Sequence, residues 1–203
     1  MDVNNKYNNN SYRNSDINCS SNSNNGCDNK DIIKIFGYGT LINEASLRET
    51  VPDAKNICLG KVKGYIRVFN IKESRLLTRK NEGDISVLNV IKSNNLENNN
   101  YIVGVCFDIS VEDIKNLQER EKQYDLREVI VEDYKNKDVV YKAFMWVGNN
   151  YEEFSYQFDS IAQKEYLDIC LDGCRNFGEL FLDEFKSTTL IGNKCLNDIN
   201  KIK

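Results

Sequence analysis

At 203 residues, the chain is long enough to bury one sizeable core and short for two. Its net charge of −4 argues against a sequence-independent grip on phosphate backbones, and no apolar run approaches the ~20 residues that a membrane span needs. The chain has no histidine, so Ser-His and Cys-His nucleophile pairs and the commonest metal ligand are excluded. Acid–base chemistry falls to Asp, Glu, Lys, Tyr or Cys.

In chain order, residues 1–30 are rich in Asn and Ser and nearly devoid of aliphatic side chains, which predicts a disordered tail. They contain no apolar stretch of the secretory kind, so the seven cysteines read as reduced thiols of a cytoplasmic protein. A domain over 31–192 follows. Residues 31–36 read as a buried strand that stops at Gly37-Tyr38-Gly39, with a helix soon after through Ala45, Leu47 and Arg48. Residues 57–71 alternate well enough for one long strand or two short ones. Arg75, Arg79 and Lys80, beside Leu76 and Leu77, read as a solvated loop. Strands at 85–91 and 101–109 flank an Asn-rich surface loop at 94–100. Ser110 is a good N-cap for a helix running to about Gln123, and strands follow at 128–134 and 139–147. Helical spacing returns over 163–186 with a break at Gly178, and residues 193–203 read as a short polar tail. Many strands and a few helices, not in strict alternation, predict an α+β domain built on a curled sheet or barrel.

Two segments carry candidate chemistry. The first is FGYGTL, residues 36–41, with two glycines around a tyrosine after a strand. Glycine lets a ligand approach the backbone closely, and successive N–H groups in such a turn can hold a carboxylate or phosphate. A helix starting just behind would add its positive end. The same pattern also serves as an ordinary tight turn, and it lacks the further residues of a Walker loop or dinucleotide fingerprint.

The second is SVEDIKNLQEREKQYD, residues 110–125. At about 100° per residue, Ile114, Leu117 and Glu121 share one helical stripe, while Glu119 and Glu112 project elsewhere. A carboxylate on an apolar stripe is costly unless it is hydrogen-bonded, paired or raised in pKa, and a raised pKa suits proton transfer near neutrality. Glu121 also fits a fraying helix end or a pair with Arg120 or Arg127. Tyr124, one turn later, is placed to hydrogen-bond that carboxylate or a substrate. Cys170 and Cys174 lie four apart on a helix without a second ligand pair, which favours core packing over a metal site. Tyr65, Phe69, Tyr141, Phe144 and Trp146 fit strand packing, with one or two free to line a pocket.

Taken together and in this order, the segments resemble the gamma-glutamylcyclotransferase superfamily. Its Tyr-Gly-Ser-Leu-type turn is matched by Tyr38, Gly39, Thr40 and Leu41. Its pattern of a glycine, an aromatic, a helix and a late Leu-x-x-x-Glu is matched by Gly104, Phe107, Ile109, Leu117 and Glu121. The stretches 166–173 and 181–189 are similar to the C-terminal helices of bacterial members, whose tyrosine at the position of Tyr166 lines the pocket. The chain departs from the family pattern in three places. Thr40 stands for the motif serine, and Ile161-Ala162 stands for a Pro-Ser. Ile42, Asn43 and Glu44 stand where glutathione-specific ChaC-type members carry a tryptophan. The resemblance implies a mixed β-barrel with flanking helices, catalysis by Glu121, and substrate contacts from Tyr38, Gly39, Thr40, Leu41, Tyr124 and Tyr166. It also implies a small gamma-glutamyl substrate that cyclises to 5-oxoproline without a cofactor or metal, while charge and hydropathy argue against nucleic-acid and membrane partners. The rival expectation is a binding module that keeps the fold without the chemistry.

Overall fold

The structure, a computed structural model, describes residues 32–74, 83–93 and 100–199. The Asn- and Ser-rich tail, the cluster at 75–80 and nearly all of the Asn-rich loop lie outside the described residues. In chain order the elements are β1 (Ile32–Gly37), α1 (Glu44–Thr50), β2 (Lys55–Lys63), β3 (Tyr65–Ser74), β4 (Asp84–Lys92), β5 (Tyr101–Ser110), α2 (Ile114–Arg120), β6 (Tyr124–Asp133), β7 (Val140–Gly148), α3 (Ile161–Arg175), α4 (Glu179–Ser187), β8 (Thr189–Ile191) and β9 (Lys194–Cys195).

Five strands close a barrel in the order β1-β5-β2-β6-β7, antiparallel except where β1 meets β7, and β4-β3-β8-β9 form a second sheet. The fold is the α+β, barrel-based architecture that the sequence predicted. The alternating run at 57–71 is two strands, because Gly64 at φ +79° turns the chain between β2 and β3. Gly178, at φ +104°, likewise separates α3 from α4. Ile35, Ile102, Val105, Phe107 and Met145 are fully buried in the core. Cys170 and Cys174 are buried too, as packing predicted, and no metal-ligand cluster occurs among the described residues. Among the same residues, no helix is long and apolar enough to cross a membrane.

The outer edge of β4 is closed by side chains rather than by another strand. On α3, the Gln163 amide accepts the Ser86 N–H at 2.8 Å and donates to the Ser86 carbonyl at 2.8 Å. One turn along, the Tyr166 hydroxyl accepts the Leu88 N–H at 3.1 Å. The Asn89 side chain then accepts the N–H groups of Val90 and Gly148, tying this sheet to the end of β7. An edge satisfied in this way is no template for another chain, and it fixes α3 against the sheet.

The reading of 193–203 as a polar tail needs correction. Gly192, at φ +59°, turns the chain back, β9 pairs with β8 as far as Cys195, and a 3₁₀ turn over Leu196–Asp198 follows with Leu196 buried. One buried leucine in a polar stretch outweighs the average composition.

Cys58 and Cys106 face each other across β2 and β5, and the Cys58 sulfur lies 3.6 Å from the Tyr141 hydroxyl. A hydrogen bond from Cys106 lowers the Cys58 pKa to about 6, with smaller help from Tyr141 and Lys34, while Cys106 is pushed up. Cys58 is therefore expected to be mostly thiolate at pH 7. Peptide mapping after brief iodoacetamide treatment should find Cys58 labelled ahead of the buried Cys106, Cys170 and Cys174, and Cys106→Ala should slow that labelling. A lead by Cys106 would contradict the assignment.

Candidate active site

The turn after β1 is built by close packing. A Cβ on Gly37 would lie 2.7 Å from the Leu41 Cβ, so only glycine lets the chain fold back onto the strand end. Ile42 N–H donates to the Gly39 carbonyl at 3.0 Å and Asn43 N–H to the Thr40 carbonyl at 3.1 Å, giving a single 3₁₀ turn anchored by buried Leu41 and Ile42. Asn43 then caps α1 by accepting the Ser46 N–H at 3.2 Å, and its amide donates to the Ile169 carbonyl of α3 at 3.2 Å. Gly173 permits this approach, since a Cβ there would meet Asn43 N at 2.5 Å. The start of α1, expected to reinforce the turn, is thus closed by its own cap and packed under α3. The cleft wall ends at Leu41.

Ser110 does cap the next helical segment, accepting the Asp113 N–H at 3.2 Å, but the helix stops at Arg120, about three residues before the expected end. Glu121 is its C-cap. Its N–H still reaches the Leu117 carbonyl at 2.8 Å, and its own carbonyl accepts the Tyr124 N–H at 3.0 Å as β6 begins. The backbone of residue 121 is therefore held from both sides, at the junction of a helix and a strand. Ile114 and Leu117 are buried and the Glu121 side chain is 14% exposed, so the stripe points inward as its spacing required.

Arg120 is the residue that sequence reasoning undervalued. Its guanidinium donates to the Ser46 carbonyl, the Ser46 hydroxyl, the Thr50 hydroxyl and the Thr40 hydroxyl at 2.8–2.9 Å. Its Nε lies 3.5 Å from a Glu121 carboxylate oxygen. One side chain thereby ties the turn, α1 and the acid together, in the forked geometry that only arginine supplies. Arg127, the other candidate partner, donates instead to Asp125 at 2.9 Å.

All seven expected site residues line one cleft: Glu121, Tyr38, Gly39, Thr40, Leu41, Tyr124 and Tyr166. The space measures about 440 Å³, counting the open solvent at its mouth. Tyr124 donates its hydroxyl to the Leu88 carbonyl at 2.8 Å while Tyr166 accepts the Leu88 N–H, so two phenols grip one residue of β4. The Tyr38 phenol is held well above its usual pKa, first by burial and then by the negative charge of Glu121, and it keeps its proton across the neutral range. Leu88 and Val87 of β4, Phe36 of β1 and Trp146 of β7 complete the wall. Trp146 is the strand aromatic that turned out to line the pocket. Leu88 had no sequence signal, because its role rests on backbone groups. Glycine turn, inward acid and paired tyrosines converge here, in the order in which they occur along the chain.

A family model described as ChaC-like protein matches residues 33–170, from β1 through most of α3. The chain belongs to the ChaC-like family. Among solved structures, this ChaC-like chain is similar to a gamma-glutamyl cyclotransferase at 15% identity, over 78% of this chain and 88% of that one, with a TM-score of 0.60. It is similar to uncharacterized protein loc79017 from Homo sapiens at 16% identity, over 84% and 95%, with a TM-score of 0.60. It is also similar to a yeast gamma-glutamyl cyclotransferase specific to glutathione at 15% identity, over 80% and 99%, with a TM-score of 0.55. At such identities the likeness establishes the shared fold. A search of curated protein sequences gave no match. In the ChaC-like chain the segment after the turn is Ile42-Asn43-Glu44, and Ile42 is buried in the core rather than on the cleft wall.

Proposed function

We propose that this chain is a gamma-glutamylcyclotransferase, with Glu121 as the group that takes and returns the proton. One observation carries the reading: an inward carboxylate and a glycine turn lie on the wall of the same small cleft. The family membership and the fold agree with it. In this reading the amides of residues 38–41 hold the alpha-carboxylate of a gamma-glutamyl compound. Glu121 takes a proton from the alpha-ammonium group. The freed amine attacks the gamma-carbonyl, and the ring of 5-oxoproline forms as the bond to the leaving amine breaks. Glu121 then returns its proton to that amine. The attacking nitrogen sheds a second proton as it becomes the ring N–H, and this proton passes over the same carboxylate to the released amine, which departs as an ammonium. No water is consumed. Much of the rate gain comes from holding nucleophile and carbonyl in contact, which can be worth roughly 7–11 kcal/mol. Tyr38, Tyr124 and Tyr166 shape the cleft and exclude solvent.

The test is incubation of the full chain with gamma-glutamyl amino acids, glutathione and gamma-glutamyl amines, followed by detection of 5-oxoproline. Release from at least one class is expected, and which class responds defines the leaving amine. Release from none would leave a binding module on the same fold. Arg120→Lys should lower turnover by about 100-fold, because an ammonium cannot hold Thr40, Ser46 and Thr50 together and a small misplacement near the chemistry has that effect. Turnover within twofold of the parent would show that Arg120 is a packing residue only.

A further inference from the structure

Along β3 the side chains of Arg67, Phe69 and Ile71 alternate into the core, and Arg67 is the largest fully buried side chain. Its Nε donates to the Thr189 hydroxyl at 2.8 Å. One Nη donates to the carbonyls of Tyr38 and Val103 at 3.0 and 2.9 Å. The other donates to the Thr188 hydroxyl and the Phe185 carbonyl at 3.0 and 3.4 Å, and the Phe185 ring lies 3.8 Å from the guanidinium carbon. Among the described residues these acceptors are three carbonyls and two hydroxyls, with no carboxylate. Every donor is satisfied, yet among the described residues no acidic side chain accepts from the guanidinium, and its charge is met only by dipoles and the Phe185 ring. A buried charge without a counter-ion is expensive, and apolar side chains of similar volume fill such a space at less cost.

The position of the charge gives it a use. Tyr38 and Gly39 belong to the cleft wall, and the Tyr38 carbonyl accepts from Arg67. The described chain contains no cis peptide bond, so in the planar Tyr38–Gly39 peptide the N–H of Gly39 points opposite to that carbonyl, away from the guanidinium. A hydrogen bond to the oxygen of an amide both fixes the direction of its N–H and polarises it as a donor. We infer that Arg67 is the positioning residue of the turn, supplying from behind, through the Tyr38–Gly39 peptide, the positive charge by which the cleft selects a carboxylate-bearing ligand. This rests on the proposed reading of the turn as the carboxylate site, and deepens it by naming what makes the turn anion-selective.

The experiment compares 5-oxoproline with 2-pyrrolidinone, the same ring without its carboxylate, by titration calorimetry and NMR on the full chain. The parent protein binds the anion in preference to the neutral lactam. In Arg67→Met that preference falls by about tenfold or more, while affinity for the lactam changes little. A merely structural role would weaken both ligands alike. Should the methionine variant fail to fold, the parent protein decides: its Arg67 Nε–H and Gly39 N–H resonances shift with 5-oxoproline and much less with the lactam. A preference kept intact in Arg67→Met, or an Arg67 signal unmoved by the anion, overturns the inference and leaves the cyclotransferase reading standing. A parent protein without any preference overturns the reading of the turn, and this inference with it.

Discussion

Glu121→Gln is expected to abolish 5-oxoproline release while leaving the fold intact. The amide is nearly the same size, and the backbone bonds that place residue 121, to Leu117 and Tyr124, do not involve the side chain. What it cannot do is accept and return a proton. General acid–base catalysis by one positioned group is typically worth 10²–10⁴-fold, and here no histidine is present to substitute. Turnover should therefore fall by at least about 100-fold with little change in thermal midpoint. Glu119→Gln, on the exposed face of the same helix, should leave turnover unchanged. Activity surviving in Glu121→Gln would move the chemistry to another residue.

The largest effect on stability is expected at Gly104. This residue of β5 lies beneath the end of β1, and a Cβ there would sit 2.4 Å from the Gly37 carbonyl oxygen and 2.6 Å from the Phe36 ring. One of those atoms is backbone at the origin of the turn, so it cannot swing away as a side chain would. Overpacking of this kind costs typically 1–3 kcal/mol, and about 3 kcal/mol would lower the thermal midpoint by roughly 6–12 °C in a domain of this size. Gly83→Ala, where a Cβ meets nothing within 4 Å, is the matching control and should change little. A Gly104→Ala protein melting with the parent would mean that β1 and β5 are less tightly joined than these contacts require.

Glu121 shows why part of the site was legible in the sequence. A charge at the wrong place in a helical stripe is visible from spacing alone, even though the helix ends one residue before it. The strands were legible for the same reason, since a period of two survives wherever one face is buried. The same logic holds on β3, where Arg67 is a charge in step with Phe69 and Ile71 and its burial is encoded in that spacing. Leu88 was not legible, and of Arg120 only its pairing with Glu121 was. The first contributes its backbone to Tyr124 and Tyr166, and the second owes its role to Thr40, Ser46 and Thr50, which only the folded chain brings together. Closure of the five strands into a barrel also depends on long-range register, and no local pattern encodes it.

A crystal structure with 5-oxoproline bound examines the core of the account most directly. The ring should sit between residues 38–41 and the Glu121 carboxylate, with its own carboxylate against the amides of the turn. A ring bound elsewhere, or a Glu121 side chain turned to bulk solvent with the ligand present, would contradict it.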